Sequence, residues 1–77
     1  MRIKFHIPQN GYSAEIAKSL ENGEYPTWVD RKFGGFIREQ ISGDFTLQVE
    51  DSGFVVDFVY EDDGIAFRKL LGGVIVD

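Results

Sequence analysis

The chain is 77 residues long, has 43% hydrophobic residues and no cysteine, and carries a net charge of −5 at pH 7. This length predicts one small domain over residues 1–77, the apolar content excludes an intrinsically disordered chain, and the lack of cysteine excludes disulfides and thiolate metal sites. The sequence shows neither a signal peptide nor an apolar run long enough to span a membrane, so we expect a cytoplasmic protein without membrane contact.

The chain begins with a predicted strand followed by a predicted helix. Polar and apolar residues alternate strictly over residues 2–7, which is typical of a half-buried strand. Helical spacing follows over residues 13–21, with Ser13 as the expected N-terminal cap and with Ile16 and Leu20 on one side. A helix this short requires a surface to pack against, because it is not stable alone.

A second helix is predicted over residues 27–42, and its continuity is open. Thr27 and Asp30 have the spacing of a capping box at its start. The pair Gly34-Gly35 interrupts it, and each glycine in a helix interior costs roughly 1 kcal/mol relative to alanine. The segment therefore forms either one helix or two short ones.

This helix also supplies candidate contact residues. If it continues, Gly35 lies on its outward face between Arg31 and Arg38, where another backbone can approach closely. Tyr25 and Trp28 fall outside the periodic apolar rows, and Tyr and Trp are frequent anchors of protein interfaces. We take these five residues as candidate partner-binding residues. The alternative for Trp28 is that it covers the small core as a lid.

Residues 44–60 predict a β-hairpin, with Gly53 expected in a left-handed conformation at the turn. The second strand carries Val55, Asp57 and Val59 on its back face, which is too apolar for an edge in water. We expect it to be central or covered by a partner, and pairing of two copies through this face would give a homodimer. The alternation predicts three apolar cross-strand pairs, Val49 with Phe54, Leu47 with Val56 and Phe45 with Phe58.

The last predicted elements are a helix over residues 60–73 and a strand over residues 74–76. Acidic residues lie at the positive end of the helix dipole and basic ones at its negative end. Its expected buried stripe consists of Ala66, Phe67, Leu70 and Leu71. The element order β-α-α-β-β-α-β predicts a small two-layer α+β sandwich, with a mainly antiparallel four-stranded sheet and helices on one face.

Few residues are suited to catalysis. One histidine and no cysteine exclude a Cys–His pair or a zinc cluster within one copy. Glu61, Asp62 and Asp63 are suited to hard cations, but a helix start explains three adjacent acids equally well. No phosphate-binding glycine pattern occurs. We therefore expect no enzyme, no metal and no cofactor.

The acidic charge is concentrated in the second half of the chain. Residues 1–43 carry six basic and five acidic side chains, a net charge of +1, whereas residues 44–77 carry two basic and eight acidic ones, a net charge of −6. An acidic field repels nucleic acids and favours encounters with basic surfaces.

We expect a basic protein surface as the partner. The candidate acidic contact residues are Asp57, Glu61, Asp62 and Asp63. Two alternatives remain: the charge serves only solubility, or weak nucleic-acid binding occurs through Arg31, Lys32 and Arg38.

A family resemblance lies in the run from Phe58 to Lys69 and the following Gly72-Gly73. An aromatic strand leads into acidic residues, then a small residue, then Phe followed by a basic residue and terminal glycines. The run resembles small accessory proteins of T-even-like tailed phages, over about 30 of the 77 residues. The resemblance implies a non-enzymatic protein of the host cytoplasm that binds and inhibits or redirects a host macromolecule, such as a defence complex.

Overall fold

The computed structural model describes residues 1–76. These residues form an open four-stranded sheet with helices on one face. The strands are β1 (Arg2–His6), β2 (Phe45–Glu50), β3 (Gly53–Phe58) and β4 (Val74–Ile75). The helical segments are α1 (Ser13–Glu21), α2 (Tyr25–Val29), a π-helical segment (Asp30–Gly34), α3 (Gly35–Gln40) and α4 (Glu61–Leu70). The predicted α+β class is confirmed.

The sheet has the order β2-β3-β1-β4 and is antiparallel throughout. Strand β3 is central, as expected, because β1 pairs with its second edge. The predicted register of the hairpin is also confirmed, with the pairs Val49 and Phe54, Leu47 and Val56, and Phe45 and Phe58. The last strand, β4, pairs with β1 and forms the edge of the sheet opposite β2.

Gly53 belongs to strand β3 and allows close packing within the sheet; its backbone does not form the predicted left-handed turn. It lacks a positive φ, so the expected left-handed conformation is wrong. It is the first residue of β3 and is buried against β1, where an added Cβ would overlap the carbonyl oxygen of Phe5. Glycine is therefore required here because two strands approach closely.

The helix over the glycine pair is continuous, and a π-helical segment carries it from α2 into α3. It begins at Tyr25, earlier than predicted, with Pro26 in its first turn, a position that tolerates the missing N–H. The predicted capping box of Thr27 and Asp30 is therefore wrong. Asp30 begins the π-helical segment and instead accepts a hydrogen bond of 3.0 Å from Nη2 of Arg38, which lies in α3.

The buried sides of α1 and α4 differ in part from the prediction. Helix α1 has Tyr12 at its cap position without a side-chain hydrogen bond, so Ser13 is not the cap. Leu20 is exposed, and the neighbouring Ser19 is buried and donates to the carbonyl oxygen of Ile16 at 2.8 Å. In α4, Leu70 is also exposed. The inward stripe there is Gly64, Phe67 and the half-buried Leu71, and Met1 packs against Gly64.

The core is largely aromatic. Four phenylalanines meet in its centre with ring centroids 5.3 to 6.2 Å apart, and they come from β1, the π-helical segment, β3 and α4: Phe5, Phe33, Phe54 and Phe67. Aromatic pairs at these distances add roughly 0.5–1.5 kcal/mol each beyond the area they bury. This cluster therefore holds the π-helical segment and α4 against the same face of the sheet.

Candidate binding surface at the acidic end of the sheet

The start of β2, the end of β3 and the start of α4 meet at one end of the molecule. The carbonyl oxygen of Asp44 accepts a hydrogen bond from the Val59 N–H at 3.1 Å. Ser42 Oγ donates to a carboxylate oxygen of Asp63 at 2.8 Å and accepts from the Asp44 N–H at 3.2 Å. These bonds hold a strand, a turn and a helix start together. We define the acidic end as the surface formed by Asp44, Val59, Tyr60, Glu61 and Asp62.

Two large side chains of the acidic end are directed into solvent. Val59 is 70% exposed, and Tyr60 is 59% exposed. Both lie in the short connection between β3 and α4, where Tyr60 has an extended backbone and precedes the first helical residue. The chain leaves the sheet here, so the core does not reach these side chains.

The carboxylates beside them are free to meet a partner. Within residues 1–76, none of Asp44, Glu61 and Asp62 takes part in an ion pair. Asp63 is half-buried and bonded to Ser42, and Asp57 lies 3.8 Å from the N-terminal ammonium group. Of the four predicted acidic contact residues, Glu61 and Asp62 thus belong to the acidic end, whereas Asp57 and Asp63 already have partners within the chain.

The predicted aromatic anchors are core residues. Tyr25 and Trp28 are 7% and 6% exposed and stack with ring centroids 6.1 Å apart. Neither is therefore an exposed anchor, and Trp28 matches the alternative of a lid over the core. Burial raises the pKa of Tyr25 above its ordinary value of 10.0, and the negative charge of Asp51 acts in the same direction. The sequence did not reveal this burial because helix α2 begins before the expected start.

The cations of the same helix are mostly engaged. Arg38 pairs with Asp30 and lies over the ring of Phe45, 5.4 Å from its centroid. Lys32 lies 3.5 Å from a carboxylate oxygen of Glu15. Arg31 is exposed and takes part in no ion pair of the described chain. Weak nucleic-acid binding through Arg31, Lys32 and Arg38 stays a prediction. Gly35 does face outward, with no atom within 4 Å of the position of an added Cβ.

The expected apolar back face of β3 is only partly exposed. Val55 is 8% exposed, and it lies between Lys4 and Gln48 of the neighbouring strands. Val59 lies beyond the end of the strand. The chain itself thus covers Val55 and leaves Val59 exposed, and a homodimer through these two residues stays a prediction.

A contact that sequence reasoning missed joins His6 and Ser52. Register places His6 beside Gly53, so the hairpin turn brings Ser52 Oγ to 3.5 Å from His6 Nδ1, in an open pocket of about 440 Å³. A working nucleophile and base lie roughly 2.6–3.2 Å apart, and a third group orients the base. In the described part of the chain, no third group is hydrogen-bonded to the ring of His6.

Over residues 1–76, no three His, Asp or Glu side chains are placed to hold a metal ion, and no helix has the length and apolar character to cross a membrane. Comparison of the chain with protein-family models, with curated proteins and with solved structures gives no match.

Proposed function

We propose that this chain is a non-catalytic binding protein that uses its acidic end to contact a basic surface on another protein. The observation that carries the proposal is the exposure of Val59 and Tyr60 beside three carboxylates that make no ion pair in the described chain. Single exposed apolar side chains are common on protein surfaces. Here two large exposed side chains are adjacent and are surrounded by carboxylates that make no ion pair in the described chain. Protein interfaces have this arrangement, with an apolar centre and a polar rim.

The two parts of this surface have different roles. Tyr60 supplies the contact area that a hot spot requires, because a tyrosine buries a large ring with little loss of conformational entropy. Asp44, Glu61 and Asp62 attract lysine and arginine on the partner, which raises the association rate and excludes acidic partners. The bonds that join Ser42, Asp44 and Asp63 hold the surface in place before binding, and this lowers the ordering cost.

The resemblance to phage accessory proteins narrows the proposed partner to a bacterial host protein. In this proposal the chain acts in the host cytoplasm and inhibits or redirects its target, a defence complex being one such target. The acidic charge of residues 44–77 supports a basic target surface.

A site-specific photo-crosslinker tests the proposal. The chain is expressed in bacteria with a benzophenone amino acid at Tyr60, or at Gln9 as control. Gln9 is exposed and follows the C-terminal end of β1, which lies at the end of the sheet opposite the acidic end. We expect a defined protein adduct from position 60 that is absent from position 9. Equal adducts from both positions would show that the acidic end has no specific partner.

A charge-matched pair of variants then tests the chemistry. Glu61→Gln with Asp62→Asn removes two charges from the acidic end, and Glu21→Gln with Glu24→Gln removes two from exposed positions around the end of α1. We expect the first pair to weaken binding to the captured protein by about tenfold or more at low salt, and the second to leave it unchanged. Equal effects of the two pairs would count against the acidic end and assign the binding to net charge alone.

A further inference from the structure

The outer side of β2 is an unpaired sheet edge. Strand β2 is the first in the order β2-β3-β1-β4, so only one of its two sides has a neighbour. Thr46 and Gln48 are exposed, and Phe45, Leu47 and Val49 are half-buried with their side chains toward the helices. The strand therefore offers one free row of backbone groups.

Hydrogen bonds elsewhere in the sheet identify that row. Met1 and Phe58 exchange two backbone bonds of 2.9 Å, and Val59 donates to Asp44. In an antiparallel ladder the hydrogen-bonded pairs alternate with non-bonded ones. The register of β2 with β3 then places Thr46, Gln48 and Glu50 in bonded pairs. The N–H and C=O groups of Phe45, Leu47 and Val49 consequently point away from the sheet.

This edge lacks the features that normally prevent an edge strand from pairing with a strand of another molecule. Proteins protect long edges with lysine, proline, bulges or short strands. Strand β2 has six residues in unbroken register, with neither lysine nor proline. The opposite edge does have such protection, because β4 has two residues and follows Gly72 and Gly73 with positive φ.

We propose that two copies of this chain pair through β2 in antiparallel orientation, centred on Leu47, to form one continuous eight-stranded sheet. The free row requires an extended backbone as its occupant, and this strand is complementary to itself. In that register Phe45 faces Val49 of the second copy, Leu47 faces Leu47, and all six outward groups are bonded. The apolar side chains of both copies lie on the helix-bearing face, so the two cores adjoin, while Thr46 lies opposite Gln48 on the open face.

Charge repulsion weakens this pairing, and its dependence on salt distinguishes the dimer from the proposed complex with a basic partner. Asp44 of one copy lies near Glu50 of the other, Glu50 is only partly compensated by Lys4 at 3.4 Å, and each chain carries a net charge of −5. Added salt screens this repulsion. The dimer is therefore strengthened by salt, whereas a complex of the acidic end with a basic partner is weakened by it.

Amide hydrogen exchange measured by NMR tests the pairing residue by residue. At high protein concentration we expect slow exchange for the amides of Phe45, Leu47 and Val49. On dilution these three become fast, while those of Thr46 and Gln48 stay slow because β3 holds them. Fast exchange of the three outward amides at every concentration and salt level would overturn the proposal, whether or not the acidic end binds a partner.

Two variants test the same contact by sedimentation. Thr46→Lys with Gln48→Lys places lysines opposite each other across the dimer axis, and Ala14→Lys with Ala17→Lys adds the same charge to exposed positions of α1. Both pairs lower the net negative charge, which by itself favours association. We expect the first pair to weaken the dimer by about tenfold and the second to strengthen it. A wild-type chain that sediments as a monomer throughout, or equal effects of both pairs, would refute the pairing.

Discussion

At the residue scale, Gly34 and Gly35 are adjacent in sequence and differ in surroundings. An added Cβ at Gly35 meets no atom within 4 Å, whereas one at Gly34 lies 2.8 Å from Oδ1 of Asp30, which pairs with Arg38. The backbone of Gly35 is helical, with φ of −60°. Helical spacing predicted the outward position of Gly35, but it did not predict that Gly34 lies under the ion pair of Asp30 and Arg38, because this depends on the π-helical segment.

Gly35→Ala is therefore expected to stabilise the fold by about 0.5–1 kcal/mol, since alanine loses less conformational entropy in a helix. Gly34→Ala is the matched control, and we expect little or no gain because the new methyl group displaces the Asp30 carboxylate. Urea unfolding of both variants measures the difference. Equal stabilisation by the two changes would mean that the space around Gly34 is not as described.

Tyr25 gives the fold a dependence on alkaline pH. Its pKa is raised by burial and by the charge of Asp51, so the folded state holds the phenolic proton more tightly than the unfolded state. The stabilising contribution is complete below pH 10 and is lost as pH rises through the folded pKa. We expect Tyr25→Phe to reduce the loss of stability between pH 9 and pH 11.

The control for Tyr25 is Tyr60→Phe, because Tyr60 is exposed. Urea midpoints measured across this range for the two variants and the parent chain isolate the contribution of Tyr25 from that of the lysines. A Tyr25→Phe variant with the same alkaline loss as Tyr60→Phe would contradict the assignment.

At the scale of elements, local patterns predicted the hairpin but not the orientation of the helices. Alternation over β2 and β3 defines one register, because a shift of one residue would turn an apolar row to solvent. The helices have no such constraint. In α4, Gly64 packs against Met1, which lies far away in sequence, so local spacing could not identify this contact. Helical spacing predicted Leu70 in the core, whereas Leu70 is exposed.

The acidic end was only partly predictable for the same reason. Glu61 and Asp62 could be identified from sequence, since acids at a helix start remain at the surface. The exposure of Val59 and Tyr60 could not, because the alternation predicts that the strand continues through both residues, with Tyr60 in the apolar row and Val59 on the back face, whereas the strand ends at Phe58. Their exposure follows from the point at which β3 stops, and strand ends are poorly defined by alternation.

Ser42 joins three elements, and its removal tests that connection. Its hydroxyl donates to Asp63 in α4 and accepts from the Asp44 N–H before β2. We expect Ser42→Ala to destabilise the fold by about 1–2 kcal/mol, because a partly buried carboxylate and an N–H lose their partner. Ser13→Ala is the control, since Ser13 is an exposed first residue of α1 and makes no cap bond. Similar unfolding midpoints for the two variants would show that the connection contributes little.

At the scale of the whole molecule, we expect the repulsion of the net charge to oppose folding more than the ion pairs support it. The described chain has four ion pairs, each with at least one half-exposed member, and exposed pairs typically contribute only about 0–1 kcal/mol. Against them stands a net charge of −5 on a body of 36 × 20 × 20 Å. At 0.1 M salt the screening length is about 10 Å, so these charges still repel one another across much of the molecule.

We therefore expect the thermal midpoint to rise with sodium chloride, measured at a protein concentration low enough to keep the chain monomeric. The rise should be smaller for Glu61→Gln with Asp62→Asn, which lowers the charge from −5 to −3. The same pair removes acids from the positive end of α4, so its midpoint at low salt reports two opposing effects. Only the slope against salt isolates the repulsion. A midpoint that falls with salt would mean that the ion pairs outweigh the repulsion between like charges.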